Sequence, residues 1–153
     1  MNTIRIRDWS VETTGPVNDF CESVFFTGNG YLGVRGFPGW EVKEKPQDHA
    51  IFKAGFFSHI TPKITDMVQL PDVLTVRPVG HIPQNVHQVL NLRNGELLQE
   101  WQDDDFSFVM KRMVSMSERS LLISRLEVRA LNSGHLNVQV IADGEVANLP
   151  VND

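Results

Sequence analysis

The residues of this chain with the most obvious chemical promise are a run of closely spaced glycines, five histidines, scattered carboxylates and a few large aromatic side chains. Gly28, Gly30 and Gly33 spell G-x-G-x-x-G, a spacing that lets backbone N–H groups cradle a pyrophosphate. Such a cradle needs a helix opening directly on the motif, because the phosphate rests on the helix N-terminus. The continuation here is Val34-Arg35-Gly36-Phe37-Pro38-Gly39, and no helix starts through two glycines and a proline. A kinase glycine loop fits no better. Ala50-Ile51-Phe52-Lys53 echoes its lysine strand, but neither H-R-D nor D-F-G occurs. The glycines are therefore read as a tight turn at Gly28-Asn29-Gly30 after the apolar run Val24-Phe25-Phe26, with Tyr31 to Val34 returning as a strand.

The remaining reactive groups form no constellation. His49, His59, His81, His87 and His135 lack tight ligand spacing, and His81 and His87, flanking a proline-containing segment, are the one pair a metal could share. Asp103-Asp104-Asp105 lacks the glycine and glutamate of a calcium loop and reads as a solvated hairpin tip. Glycoside cleavage usually takes two carboxyl groups placed by the fold. Glu22, Glu96, Glu100, Glu118 and Glu127 offer many pairs, and spacing singles out none. No Gly-x-Ser-x-Gly elbow is present. The sequence thus assigns no catalytic residue, no cofactor-binding residue and no metal ligand. Aromatic faces can stack on sugar rings, which makes the tryptophans candidates for that role. Trp9 and Trp101 fall in strand-like runs and are expected in the core or at a sheet edge. Trp40, between a glycine and a charged loop, is the expected exposed aromatic and the candidate sugar platform.

These residues sit in a chain of 153 residues, enough for one domain that buries about 70% of the surface its unfolded chain exposes. A net charge of −5 argues against nucleic acid or an anionic membrane as partner. A single cysteine, Cys21, cannot form an internal disulfide, which fits a reducing compartment. The N-terminus MNTIRIRDWS has no apolar core of a secretory signal, and no apolar run approaches the ~20 residues of a membrane helix. The expectation is a soluble, cytoplasmic protein.

The elements that must position these side chains read as strands. Ile4 to Thr13 alternates as a first strand with a small offset, and Gly15-Pro16 breaks it. Trp40 to Asp48 carries five charges in nine residues and reads as an exposed loop. Ile51 to Ser58 is an aromatic strand in which Gly55 marks a bulge or a close approach. Pro62, Pro71, Pro78 and Pro83 punctuate short extended pieces, among them Leu74-Thr75-Val76. Val89 to Gly95 ends in Asn-Gly, a strong hairpin signal, and Glu96 to Gln102 returns to the acidic tip. Phe106, Phe108 and Met110 alternate, and the pattern slips near Arg112-Met113 as a β-bulge would make it. Leu122 to Ala130 and Leu136 to Ala142 alternate cleanly, with turns at Asn132-Ser133-Gly134 and Asp143-Gly144. No apolar 3.6-residue period persists over 12 residues. The chain predicts an all-β, mainly antiparallel, single domain without repeats or linkers.

Taken as a block, E-S-hydrophobic-x-x-x-G-N-G-Y-L-G-V-R-G from Glu22 to Gly36 resembles the signature near the start of the N-terminal domain of glycoside hydrolase family 65, which contains maltose, trehalose and kojibiose phosphorylases and related hydrolases. Further blocks follow in family order. Ala54-Gly55-Phe56-Phe57 is similar to its A-G-hydrophobic-aromatic segment, and Leu70-Pro71-Asp72 to its L-P-N/D turn. Val89 to Leu97 resembles the L-D-L-R-x-G-x-L hairpin, Met113 to Arg119 the R-F-x-S-x-x-D-R-H segment, and Asp143 to Asn148 the D-G-x-V-x-N stretch. Met113 replaces a frequent phenylalanine, and Val73 stands where an aromatic commonly follows. The resemblance implies part of a β-supersandwich like the galactose mutarotase fold, joined in the whole enzyme to an (α/α)6 barrel. That barrel carries the general acid and the inorganic phosphate site, so no catalytic residue transfers to this chain, which would end at Asp153 inside the sandwich. By that resemblance the chain is the non-catalytic first part of the domain, acting on carbohydrate only through the parent enzyme. The alternative is a stand-alone sugar-binding or mutarotase-like protein. The apolar faces of the runs Leu122 to Ala130 and Leu136 to Ala142 need cover from another layer, which predicts a homo-oligomer.

Overall fold

The computed structural model describes residues 3–61 and 64–148. Its first element is a hairpin: β1 (Arg5–Arg7) pairs with β2 (Ser10–Gly15), closing on Arg7 opposite Ser10. The offset that interrupts the alternation is the turn itself, with Asp8 at φ 27° and Trp9 at φ 74°, the left-handed geometry that a two-residue hairpin turn demands. The single strand read from Ile4 to Thr13 is thus two. This places Trp9 at a hairpin tip on the edge side of the sheet, where it is 60% exposed and outside the core.

A six-residue helix that the periodicity could not reveal follows, α1 (Asp19–Val24). Asn18 caps it, its side chain accepting from the Cys21 N–H at 2.9 Å, and Asp19 and Glu22 place negative charge in the first turn. The helix lays Cys21 and Phe25 on Leu90 and Leu97. The glycine-rich block then folds as expected: β3 (Thr27–Gly28) and β4 (Leu32–Val34) flank the turn, and Gly30 has φ 81°. No helix opens on the motif. β4 pairs onward with β5 (Ile51–Thr61), which pairs with β6 (Ile64–Gln69), and the register shifts between Phe52 and Phe57 around Gly55 at φ 76°, the expected bulge.

β7 (Asp72–Pro78) leads to β8 (Val86–Asn91), β9 (Glu96–Gln102), β10 (Phe106–Val114) and β11 (Leu122–Ala130). The β8–β9 loop has four residues, because Asn91 pairs with Glu96 and the Gly95 N–H donates to the Asn91 carbonyl at 2.8 Å. The last strand, β12 (Val138–Asp143), leaves β11 and pairs with β7. Three antiparallel sheets result, ordered β1-β2-β8-β9-β10-β11, β12-β7 and β3-β4-β5-β6. The two smaller sheets cover the large one as a sandwich. Leu32, Val34 and Ile51 of the four-stranded sheet meet Leu74 of β7 and Val114 of β10 in one core cluster. Trp40, Val86, Trp101, Phe106, Phe108 and Met110 form another, joined by Val76 and Leu126.

β10 alternates buried and half-buried residues without interruption from Phe106 to Val114, and its pairing with β11 is regular throughout. The slip at Arg112-Met113 is therefore no bulge. Arg112 keeps the inward phase of the strand and is only 3% exposed, so the sequence pattern breaks because the buried residue is an arginine.

Candidate functional site

Phe37, Pro38, Gly39 and Trp40 are all buried, wedged between β7 and the large sheet. The Val76 N–H donates to the Gly39 carbonyl at 2.8 Å, and a Cβ on Gly39 would lie 2.3 Å from Met110 Sδ. This wedge overturns the reading of Trp40 as an exposed sugar platform. Its indole is 1% exposed and packs on Trp101, 4.6 Å between ring centres. The preceding Pro-Gly brings the backbone so close to the sheet that the ring has only the core to enter, and burying an indole of this size outweighs leaving its N–H without a bond. Trp101 is buried as expected. The exposed tryptophan is Trp9, with the Arg93 guanidinium 5.8 Å from its ring centre.

Beneath the wedge lies a buried polar chain. Arg112 donates through Nη2 to the Phe37 carbonyl and holds its guanidinium 4.4 Å from the Phe37 ring centre. On β9 and β8, Gln99 donates to Gln88 at 3.0 Å. The Phe37 ring stacks on His49 at 4.3 Å, nearly parallel, and His49 Nδ1 bonds Asp72 Oδ2 at 2.9 Å. Thr75 Oγ1 donates to the same oxygen at 2.6 Å, and the Leu74 N–H to Oδ1 at 2.9 Å. Burial pushes the Asp72 carboxyl up, but the bonds from His49, Thr75 and Leu74 together carry it below its ordinary value. Burial also pushes the Arg112 guanidinium down to about 10, against the pull of Asp72 and Glu22.

His49 separates this chain from a half-open cleft of about 910 Å³, whose wall also includes Glu22, Arg35, Lys43, Asp48 and Gln69. Burial raises the Glu22 carboxyl above its usual range, opposed by Arg35 and His49, and Arg35 Nε lies 3.7 Å from it. A carboxyl so displaced can hold a proton for acid catalysis. Much of the cleft's polar surface is nevertheless committed to holding the chain together. Arg35 also donates to the Asp19 carbonyl and to Ser23 Oγ, both at 3.1 Å. Lys43 bonds the Glu145 carbonyl and lies 3.4 Å from Asp143, and Gln69 donates to the Asp48 carbonyl at 2.8 Å. Asn148 accepts from the Gln69 N–H at 3.0 Å and donates to Asp66 at 2.8 Å.

The histidines are dispersed. His81 bonds Asp103 at 2.6 Å beside a recess of about 320 Å³, whereas His87 bonds Thr14 at 3.1 Å. Among the described residues no three potential metal ligands cluster. The acidic tip is a turn whose Asp103 accepts from the N–H groups of Asp105 and Phe106 at 2.9 and 2.8 Å. Sequence reasoning missed Arg112, Asp72 and His49 as a unit. The signal available for it was the misfit of Arg112 in an otherwise alternating strand.

The signature turn carries its own bonds. Asn29 Oδ1 accepts from the N–H groups of Tyr31 and Leu32, each at 2.9 Å. Its Nδ2 donates to the carbonyls of Ser115 at 2.6 Å and Arg119 at 3.0 Å. A Cβ on Gly33 would lie 2.4 Å from the Phe26 ring, and one on Gly36 would lie 2.6 Å from Phe25 Cβ and 2.8 Å from its carbonyl oxygen. Asn29, Gly33 and Gly36 are thus engaged in turn geometry or close packing, while Glu22 and Arg35 of the same block line the cleft.

An antiparallel sandwich of the galactose mutarotase-like kind, stitched together through a glycine-rich turn, is the class of domain that these features define. The family model described as "Glycosyl hydrolase family 65, N-terminal domain" matches residues 17–153, and the chain belongs to that family. It is 26% identical over 142 residues to a kojibiose phosphorylase of Halothermothrix orenii (strain H 168 / OCM 544 / DSM 9562), covering 83% of this chain and 18% of that protein. A solved structure from the human microbiome, assigned as a kojibiose phosphorylase, superimposes with a TM-score of 0.64 at 14% identity, over 84% of this chain and 21% of that one. That likeness shows the fold. The chain spans about a fifth of each of these relatives. Among the described residues no helix is long and apolar enough to cross a membrane.

Proposed function

We propose that this chain is the front portion of the non-catalytic β-sandwich domain of a family 65 enzyme acting on α-linked disaccharides, with kojibiose the first substrate to try. Its part is structural. The parent's chemistry, including its use of inorganic phosphate, lies in a catalytic barrel outside these residues, and the working compartment is the cytoplasm. The observation that carries this reading is the use made of the signature: Asn29, Gly33 and Gly36 are consumed by bonds and close contacts within the sandwich. Catalytic side chains, by contrast, face a substrate with hydrogen-bonding capacity to spare.

A second reading, a stand-alone sugar-binding or sugar-isomerising protein, has one observation in its favour. Glu22 and His49 line the same cleft, and a carboxyl with a raised pKa beside a histidine is an acid–base pair in kind. Titration of the purified chain with glucose and kojibiose by NMR, together with polarimetry of freshly dissolved α-glucose, separates the two. The structural reading expects no shifts at cleft residues and the spontaneous rate of mutarotation. Saturable shifts at Glu22 and His49, with faster mutarotation lost in Glu22→Gln, would establish the second.

A further inference from the structure

His81 is anchored through its ring, its backbone and its neighbours. Its Nδ1 bonds Asp103 Oδ2 at 2.6 Å, its N–H donates to the Pro78 carbonyl at 3.2 Å, and its carbonyl accepts from Trp101 Nε1 at 3.2 Å. Phe106 meets the imidazole edge-on at 5.0 Å between ring centres, and Phe108 lies tilted at 5.7 Å. Asp103 is fixed in turn, because its Oδ1 accepts from the N–H groups of Asp105 and Phe106.

This arrangement settles where the hydrogen sits. Burial pushes the Asp103 carboxyl up, but the bonds from His81, Phe106 and Asp105 carry it below its ordinary value. An ionised carboxylate only accepts, so the hydrogen between the pair belongs to Nδ1. In the uncharged ring Nε2 then carries the lone pair. Nε2 makes no hydrogen bond among the described residues, and the side chain is 18% exposed. The other histidines differ. His59 and His87 set Nδ1 against the hydroxyls of Thr65 and Thr14, which can donate or accept and so fix no tautomer. His49 has its carboxylate in Asp72 but is only 5% exposed.

The recess of about 320 Å³ beside His81 is walled by the β7–β8 connection and the β9–β10 turn, with Gln84, Asn85 and Gln102 on its surface. All three are exposed primary amides, each able to donate and to accept. No lysine or arginine lines it, and the acidic tip continues through Asp104 and Asp105, so an anion is disfavoured. Trp101 gives its ring to Phe108 and Trp40, which leaves little aromatic face for an apolar ligand. Adjacent neutral hydroxyls, each a donor and an acceptor, match what remains. The volume stands at the lower end of the ~300–1,000 Å³ of small-molecule sites, room for a single sugar ring.

We propose that this recess binds a neutral polyhydroxylated ligand of monosaccharide size. His81 Nε2 accepts the hydrogen of one hydroxyl, and the amides of Gln84, Asn85 and Gln102 bond the hydroxyls beside it. Asp103 is the positioning residue that holds the tautomer. The recess meets the Glu22–His49 cleft only at Ile82, so its occupancy is separate from any chemistry there.

NMR titration of the isotope-labelled 153-residue chain with glucose tests this, with glycerol and acetate as controls. Hydrogen bonds that compete with water bind weakly, and a Kd of about 1–10 mM is expected. Saturable shifts should appear at His81, Gln84, Asn85 and Gln102, and the His81 ring nitrogens should report Nδ1–H with and without sugar. Gln84→Ala and Asn85→Ala alter exposed side chains and should each weaken binding about threefold or more. Asp103→Asn keeps an oxygen for the turn but presents Nδ1 with a donor, so the ring should change to Nε2–H and binding should fall. No shift at the recess with about 100 mM glucose, some ten times the expected Kd, would overturn the proposal. So would shifts that glycerol or acetate reproduces at equal concentration, an Nε2–H ring in the unaltered chain, or affinity unchanged in Gln84→Ala and Asp103→Asn.

Discussion

The side-chain amide of Asn29 donates at 2.6 Å to the carbonyl of Ser115, a residue 86 positions further along the chain. One tight turn is thereby locked to the end of β10, and the four-stranded sheet to the six-stranded one. Replacing Asn29 with alanine removes two donated and two accepted bonds at once. At roughly 1 kcal/mol net per bond, with a larger cost for carbonyls left buried, the loss should be about 2–4 kcal/mol. Thermal and urea unfolding of Asn29→Ala beside the unaltered chain checks this. A change below about 0.5 kcal/mol would mean that the signature asparagine is kept for something other than the fold.

The glycines of the same block should differ in their tolerance. A methyl group at Gly33 meets the tip of the Phe26 ring, which is partly exposed and can rotate away. At Gly36 it meets the backbone carbonyl and Cβ of Phe25, which are fixed by the end of α1. Gly36→Ala should therefore cost about 1–3 kcal/mol, the usual range for an overpacked site, and Gly33→Ala clearly less. Equal losses in chemical denaturation would refute the distinction.

The strands and the central turn were legible in the sequence, because alternation and paired turn residues report backbone geometry locally. Three kinds of information were not local. A six-residue helix is too short to display a 3.6-residue period, so α1 went unread in the sequence. A two-residue turn without glycine, at Asp8-Trp9, looked like an offset in a single strand. The third was the direction in which Trp40 and Arg112 point, which depends on the opposing sheet. Trp40 stands before a charged loop yet is driven inward by the approach of Gly39 to Met110, and Arg112 sits where an apolar residue would complete the pattern. Both are set by the buried wedge at Phe37 to Trp40, and the same wedge organises the His49–Asp72 chain behind the cleft.

Acid should expose that buried chain. The Asp72 carboxyl has its folded-state pKa below the ordinary 3.8, so the stability it contributes is fully present above that value and is lost as pH falls through the folded pKa. Glu22 has the opposite sign: its folded pKa lies above 4.5, and protonation on lowering pH relieves the cost of burying its charge. Asp72→Asn should therefore be most destabilising near neutral pH and flatten the acid limb of the stability curve. Glu22→Gln should instead remove a stabilising rise on the way down from neutral pH. Urea midpoints at intervals between pH 3 and 7 for the two variants should diverge. Parallel curves would show that neither carboxyl is perturbed as its surroundings imply.

The assay closest to the central claim is direct turnover. Chain shown to be folded by cooperative unfolding is incubated with inorganic phosphate and, separately, kojibiose, maltose or trehalose, and free glucose and sugar phosphate are followed by mass spectrometry. A structural portion of the β-sandwich domain predicts product no faster than the protein-free control in every case. Turnover that tracks the purified chain and disappears in Glu22→Gln would contradict it, and would place the chemistry in the cleft beside His49.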